Sequence, residues 1–351
     1  MARVASLATG APSHVLYVEQ AERIIRQHLK RLGVAPDLYL RILRNTQIER
    51  RHSVLSEEEL GVKYSLKDLN DRYIETCLEL GEKVARDAIQ QAGLTPQDID
   101  AIVSVSCTGW MLPSLDGHLI NRMEMSPNTR RLPISAIGCA AGAVGLTRAW
   151  EQQRVYPGSN TLLLSIELPS LTFQPDDPRA AQIISSMIFA DGAAAVVLSD
   201  RGKRPSPRIL GSRTYTVPGT LGDMGYDLDG AGLHIVLSGS VPFVIKDSLA
   251  MEVDALLAQH GVTRSDLTWC AMHPAGPKVL YLVEEELGFT EEQLAASWSV
   301  LRSYGNMSSA AVLFVLAEMM ERPPAQPGDL GLIVAFGPGV SGEIVLARWE
   351  A

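Results

Sequence analysis

Cysteine, aromatic residues, positive charge and long apolar runs are all scarce in this sequence of 351 residues, and each shortage excludes something. The four cysteines, Cys77, Cys107, Cys139 and Cys270, form no C-x-x-C pair and are too scattered for a disulfide framework. Reduced thiols in a cytoplasmic protein are therefore expected, and each cysteine needs its own explanation. A formal charge of −9 leaves no basic stripe of the kind nucleic acid requires, so no nucleic-acid partner is expected. An anionic ligand would depend on a local cluster of Arg or Lys. No apolar run approaches the roughly 18–20 residues that cross a bilayer, and the longest, residues 310–316, reads as a buried helix. Nor does a long apolar segment near the N-terminus precede a cleavage site, so neither a signal peptide nor a membrane partner is expected. The seven histidines show no paired ligand spacing, which argues against a metal, and no G-x-x-x-x-G-K phosphate loop occurs.

What is abundant is apolar sequence in short, buried-looking pieces. At 46% hydrophobic residues the chain can bury one large core or two medium ones. From Leu69 to Gly93, Tyr73, Cys77, Leu80, Val84 and Ala88 recur every three or four residues, predicting one helix face closed by Gly93. Cys77 lies on that face and reads as core. Residues 101–105, 161–168 and 193–200 read as strands buried on both faces, separated by helices. This alternation predicts α/β layering with much of the sheet parallel. The second half repeats the grammar, with a helix over 251–262, a strand over 267–272 ending at His273, a buried helix ending before Pro323–Pro324, and strands over 330–336 and 343–349. Residues 201–230, rich in Gly, Pro and Arg, read as the seam. "IGCAAGAVGLTRAW" and "YGNMSSAAVLFVLA" both run from a small-residue turn into an apolar helix, which points to a duplicated domain.

The first of these turns carries Cys139. A thiol in the first turn of a buried helix faces unsatisfied N–H groups and the positive end of the macrodipole, which favour thiolate. Gly138, Ala140, Ala141 and Gly142 let an acyl group approach the sulfur. The competing reading is a small hydrophobe in tight strand-to-helix packing. His273 stands at a strand end, where ligands collect in α/β sheets. Asn306 opens the second apolar helix. Taken singly, the first is a hydrogen-bonded structural residue and the second an N-cap. Taken together they supply a nucleophile, a base and a neutral donor, a candidate Cys–His–Asn acyl-transfer site.

"GCAAG", "HPAGP", "YGNMSSA" and "AFGPG" stand in the order and rough spacing of the type III polyketide synthases, the chalcone synthase-like family, which "FADGAAAV" also resembles. The resemblance runs from about Leu16 to Arg348. It implies a thiolase fold, two layered α/β halves related by a pseudo-twofold, working as a homodimer. Residues 1–205 would carry the nucleophilic Cys139, and residues 206–351 His273 and Asn306. Cys139 would hold the starter and growing chain; His273 and Asn306 would bind the thioester oxygen and the enolate of decarboxylated malonyl-CoA, and His273 would stabilise the thiolate. The substrates would be coenzyme A thioesters, with no permanently bound cofactor. Phe189 matches a gatekeeper, and the second gate position falls at Ile235, aliphatic here. Thr172 and Ser308 match cavity-lining positions. Arg41 matches a phosphate-binding arginine, Arg44 stands beside a position the family fills with lysine, and the turn at Gly276 with Lys278 would add further contacts to coenzyme A.

"CTGWMLPSL" resembles the bacterial C-T-G-F-x-x-P-S-L of tetrahydroxynaphthalene synthases and their alkylpyrone-forming relatives. It implies that Cys107 faces the cavity and that Leu112 reaches into the partner subunit's pocket. Tyr226 stands where the naphthalene-forming enzymes carry tyrosine and favours an aromatic product from malonyl-CoA alone. Pro169 and Thr172 replace two cysteines common in that group, which keeps an acyl-CoA-primed alkylpyrone or alkylresorcinol synthase open. A fatty-acid-initiating ketoacyl synthase is a third possibility, against which "YGNMSSA" argues, and a catalytically silent acyl-CoA-binding scaffold is a fourth.

Overall fold

A computed structural model describes residues 3–202, 205–230 and 232–351; residues 203–204 and 231, in or beside the expected seam, lie outside the described residues. Nine strands form one sheet: β1 (Arg3–Gly10), β4 (Ala101–Val105), β5 (Arg130–Ile134), β6 (Thr161–Glu167), β7 (Gly192–Ser199), β8 (Ser206–Thr216), β11 (Leu267–Met272), β12 (Leu330–Gly337) and β13 (Ser341–Glu350). Two two-stranded antiparallel sheets stand apart, β2 (His14–Tyr17) with β3 (Arg50–Ser53) and β9 (Met224–Asp229) with β10 (Gly232–Leu237). The sheet order is β11-β12-β13-β8-β1-β7-β6-β4-β5. Read outward from the centre, β1-β7-β6-β4 and β8-β13-β12-β11 have the same pairings: antiparallel, antiparallel, then parallel. This is the pseudo-twofold of a thiolase fold, and within the sheet its two copies pair at Arg3↔Arg208.

The layers follow from which residues are apolar on which side. The first two turns of α5 (Ala141–Val155) and the first two of α10 (Ala311–Glu321) are apolar and buried all round, and each helix begins in a short 3₁₀ turn. A helix of that kind is stable only when covered on every side. Both lie in the central core among Val103, Leu163 and Val196 of one copy and Ala271, Ile333 and Val345 of the other. The opposite faces are covered by α3 (Leu66–Gln91) with α4 (Leu115–Arg122) on the first copy. α7 (Val241–Gln259) and α8 (Pro277–Leu287) do the same on the second. Each fully buried Leu, Ile or Val contributes roughly 1.5–3 kcal/mol. A smaller cluster joins α1 (Val18–Arg31), α2 (Asp37–Asn45) and α6 (Ala180–Ile188), and α9 (Ala295–Tyr304) precedes the 3₁₀ turn of α10. Among the described residues no helix is long and apolar enough to cross a membrane.

Two sequence expectations are corrected. Most of the sheet is antiparallel, with parallel pairing only at β4–β5, β4–β6 and β11–β12. Strands β6 and β7 are buried at every residue, and a helix layer on each face produces the same apolar run whichever way the strand points. Residues 201–230, read as the seam between halves, include β8, an eleven-residue strand that pairs along β13. Finally, the helix expected from residue 251 begins ten residues earlier, at Val241.

Candidate active site

Edge strand β5 delivers the chain to Cys139 through two residues with positive φ, Ala136 (61°) and Gly138 (58°). A Cβ on Gly138 would lie 2.5 Å from Pro338 Cδ, and one on Gly337 would lie 2.5 Å from the Ile137 carbonyl oxygen. The "GCAAG" and "AFGPG" segments are therefore small because they press on each other, fixing the half-buried thiol at the first turn before α5. The corresponding turn before α10 carries Asn306 and Ser308. Asn306 is pinned by backbone bonds from its N–H to Ile188 O (3.0 Å) and from Ala190 N–H to its own carbonyl (2.9 Å). Its side-chain oxygen accepts the Ser308 N–H at 2.8 Å, and Ser308 itself sits at φ 49°, a strained conformation for a non-glycine residue. His273 closes β11, its N–H bonded to Val334 O at 2.8 Å. The Asn306 amide donates to Ala275 O (3.4 Å), tying the two segments together.

The side chains form a chain of contacts across the pseudo-twofold. The Cys139 thiol donates to Ser308 Oγ at 3.5 Å, and Cys107 Sγ lies 3.9 Å from the same oxygen. Cys107 Sγ is 3.6 Å from both oxygens of Glu167. That carboxylate also accepts the Cys107 N–H (3.1 Å), the Thr108 hydroxyl (3.0 Å) and the Ser309 hydroxyl, which contacts Ser165 Oγ at 2.9 Å. Burial raises the carboxyl of Glu167, against the lowering effect of its donors, Ser309 first. Glu167 was not among the candidates read from sequence. Its one signal was a lone acid closing the buried apolar strand "TLLLSIE".

His273 is fully buried, and neither ring nitrogen has a hydrogen-bond partner. Burial alone lowers it to about 3. Burial likewise pushes the Cys139 thiol up to about 12, offset in part by Ser308 and reinforced by Glu167. Both shifts work toward the neutral thiol and the neutral imidazole, and Cys139 bonds to Ser308 rather than to His273. An unpaired buried imidazole costs on the order of 1–3 kcal/mol.

Phe189, Thr172, Tyr226 and Ile235 line one cavity of about 580 Å³ bounded by α1, α6 and β3; Cys139, His273 and Asn306 are not in its lining, and neither are Cys107 and Ser308, which the sequence placed there. Tyr226 and Ile235 face each other across the β9–β10 pair. Leu112 is 85% exposed. Arg41 and Lys278 are exposed, and Gly276 caps α8. Arg44 is held by Glu22 through two bonds of 2.7 and 3.2 Å, so its charge is already partnered.

Residues 1–201 match the N-terminal domain and residues 209–349 the C-terminal domain of the chalcone and stilbene synthases. The chain belongs to that family. It is a type III polyketide synthase of the bacterial kind, an acyltransferase. The synthase is 34% identical to the 1,3,6,8-tetrahydroxynaphthalene synthase of Streptomyces peucetius subsp. caesius, covering 99% of this chain and 93% of the relative. It is 32% identical to the phloroglucinol synthase of Pseudomonas fluorescens, over 89% of each chain. The solved 1,3,6,8-tetrahydroxynaphthalene synthase of Streptomyces coelicolor A3(2) superposes on the synthase with a TM-score of 0.94 at 31% identity, over 99% of each chain.

Proposed function

We propose that this synthase builds an aromatic, tetrahydroxynaphthalene-like product from malonyl-CoA alone, with Cys139 as nucleophile and His273 and Asn306 as the polar pair opposite it. The Cys139 sulfur attacks the thioester carbonyl, its proton passes to His273, and coenzyme A leaves with a proton. A malonyl thioester then loses carbon dioxide, and its enolate oxygen rests between the His273 and Asn306 N–H groups. The enolate carbon attacks the Cys139 thioester, which releases the sulfur and transfers the chain. Removing one such donor from an oxyanion site costs about 10²–10³ in rate. The observation that carries this reading is the unpartnered, fully buried imidazole of His273, joined through Ala275 to Asn306. Mass spectrometry of products from the purified protein, with malonyl-CoA alone and then with a panel of acyl-CoA starters, tests it. An aromatic pentaketide from malonyl-CoA alone is expected.

The 580 Å³ cavity supports a second reading, an acyl-CoA-primed alkylpyrone or alkylresorcinol synthase, whose products would appear only with acyl starters. Further features extend the proposal. Coenzyme A would enter past Arg41, Gly276 and Lys278. The halves 1–205 and 206–351 would be the duplicated units. A homodimer would cover the open edge of β5, whose Arg131 bonds Ser114 and Asp116 next to exposed Trp110 and Leu112. The four free cysteines fit a reducing cytoplasm.

A further inference from the structure

The end of α6 and the turn that carries Asn306 compete for one hydrogen bond. Were the helix to continue, the Ala190 N–H would donate to Ser186 O, four residues back. It donates instead to Asn306 O (2.9 Å), while the Asn306 N–H donates to Ile188 O (3.0 Å), and Phe189 pairs with Asn306 as an isolated parallel bridge. That diversion fixes the Asn306 backbone but leaves Ser186 O without its helical donor, in a last turn whose carbonyls carry the negative end of the dipole. Phe189 O, at the C-cap, stands beyond the helical bonds altogether. Arg51 supplies both. One guanidinium nitrogen, Nη1, donates to Ser186 O and, at 3.0 Å, to Phe189 O. Arg51 reaches α6 from β3 and is 8% exposed. Its stem also touches the asparagine turn: a Cβ on Gly305 would lie 3.4 Å from Arg51 Cγ and 3.0 Å from Ile188 O. The strand beneath it is anchored on both sides, by the Glu49 N–H to Arg302 O (2.9 Å) and by the Asp191 N–H to His52 O (3.0 Å). Burial lowers the guanidinium to about 10, against the raising effect of Asp191, so it keeps its charge at neutral pH.

We infer that Arg51 is a positioning residue for Asn306: by satisfying the carbonyls at the end of α6 it leaves the Ala190 N–H to hold the asparagine backbone, and so aims the Asn306 amide without touching substrate. Without Arg51, Ser186 O becomes a competing acceptor for the Ala190 N–H, and when that bond forms Asn306 O loses its partner. Cys139 is set by other contacts, those of Gly138 with Pro338 and of Gly337 with Ile137. The effect of Arg51 therefore falls on the amide and not on the thiol. The inference rests on the reading of Asn306 as a donor to the enolate.

The test uses the intact protein with Arg51→Met, which keeps most of the bulk and removes the donors, with Asn306→Ala, and with the two combined. Carbon dioxide release from malonyl-CoA measures decarboxylation, and iodoacetamide labelling of Cys139, read by peptide mass spectrometry, measures the thiol. Asn306→Ala is expected to slow decarboxylation by about 10²–10³-fold. Arg51→Met is expected to slow it by about 10–10²-fold, the scale of a misplaced reacting group, with Cys139 labelling unchanged. In the Asn306→Ala background, Arg51→Met is expected to add less than about threefold, because its effect passes through a group already removed. Arg51→Lys keeps the charge, but its ammonium ends one atom short of Nη1. It is expected to lose less than Arg51→Met, with the loss again vanishing beside Asn306→Ala, and it serves if methionine disturbs folding. Wild-type decarboxylation in Arg51→Met overturns the inference. So does an equal loss in both backgrounds, or Cys139 labelling that slows in step with decarboxylation, the mark of a generally loosened site. Wild-type decarboxylation in Asn306→Ala removes the enolate reading itself, and the inference with it.

Discussion

Gly142 is the point where the two buried helices of the site touch. A Cβ placed on it would lie 2.1 Å from the Ser309 carbonyl oxygen and 2.8 Å from Val312 Cγ1. Atoms of that kind do not approach within 3.0 Å, so Gly142→Ala must separate α5 from α10 by about 0.9 Å. The displacement acts on both sides of the 3.5 Å contact between Cys139 and Ser308, since Cys139 is three residues before Gly142 and Ser308 adjoins Ser309. Overpacking of this size costs about 1–3 kcal/mol of stability. A misplacement near 1 Å between reacting groups costs about 10² in turnover. Urea unfolding followed by tryptophan fluorescence measures the first, and coenzyme A release from malonyl-CoA measures the second. Gly81→Ala is the control: its added methyl meets nothing closer than 3.5 Å, and in a helix interior it should stabilise by about 0.5–1 kcal/mol with unchanged turnover. Wild-type stability and turnover in Gly142→Ala would refute the claim that this helix contact sets the geometry of the site.

His273 is lowered from 6.5 to about 3 by burial, so below pH 6.5 the unfolded chain takes up a proton that the folded chain does not. Stability present above pH 6.5 is lost as pH falls toward 3, by about 2 kcal/mol at pH 5, and His273→Gln should abolish that part of the decline in urea titrations at pH 7 and 5. Glu167 is shifted the other way: its protonated form is favoured, so the stability this gives is full below its unfolded value of 4.5 and is lost as pH rises through the raised folded value. Glu167→Gln should therefore lose less stability than wild type between pH 5 and pH 8, whereas Glu167→Ala, stranding Cys107 N–H, Thr108 and Ser309, should cost about 1–3 kcal/mol per stranded donor at both. Leu112→Glu places a charge on the exposed tip proposed to enter the partner, and light scattering should then show monomer, against the dimer expected for wild type; a dimer in both would move the interface elsewhere.

The sequence was most readable where one physical cause acts alone. The three-and-four spacing from Tyr73 to Ala88 identified α3, and the unbroken apolar runs identified β4, β6 and β7. Strand direction was not readable, because burial on both faces erases the alternation that would betray an antiparallel pair. β8 was hidden by its arginines, which lie along a strand whose buried and part-buried residues alternate from Pro207 to Gly211. At the site, Cys139, His273 and Asn306 were marked by small-residue turns at helix or strand ends, since the backbone must bend sharply there. Glu167 carried no such mark: its role depends on Cys107, Thr108 and Ser309, which come from two distant segments.

The division of the site between two copies of one topology also bears on the order in which the protein is made. The ribosome completes β1 to β7, with Cys139 at its turn, before His273, Asn306 or Ser308 has been synthesised. α5 at that stage lacks the whole of α10, and the central core lacks half its wall. The thiol is thus present early but has no polar partner until the last third of the chain is in place. A nascent or truncated chain cannot run half of the proposed reaction, and chemistry begins only when the second copy closes over the first.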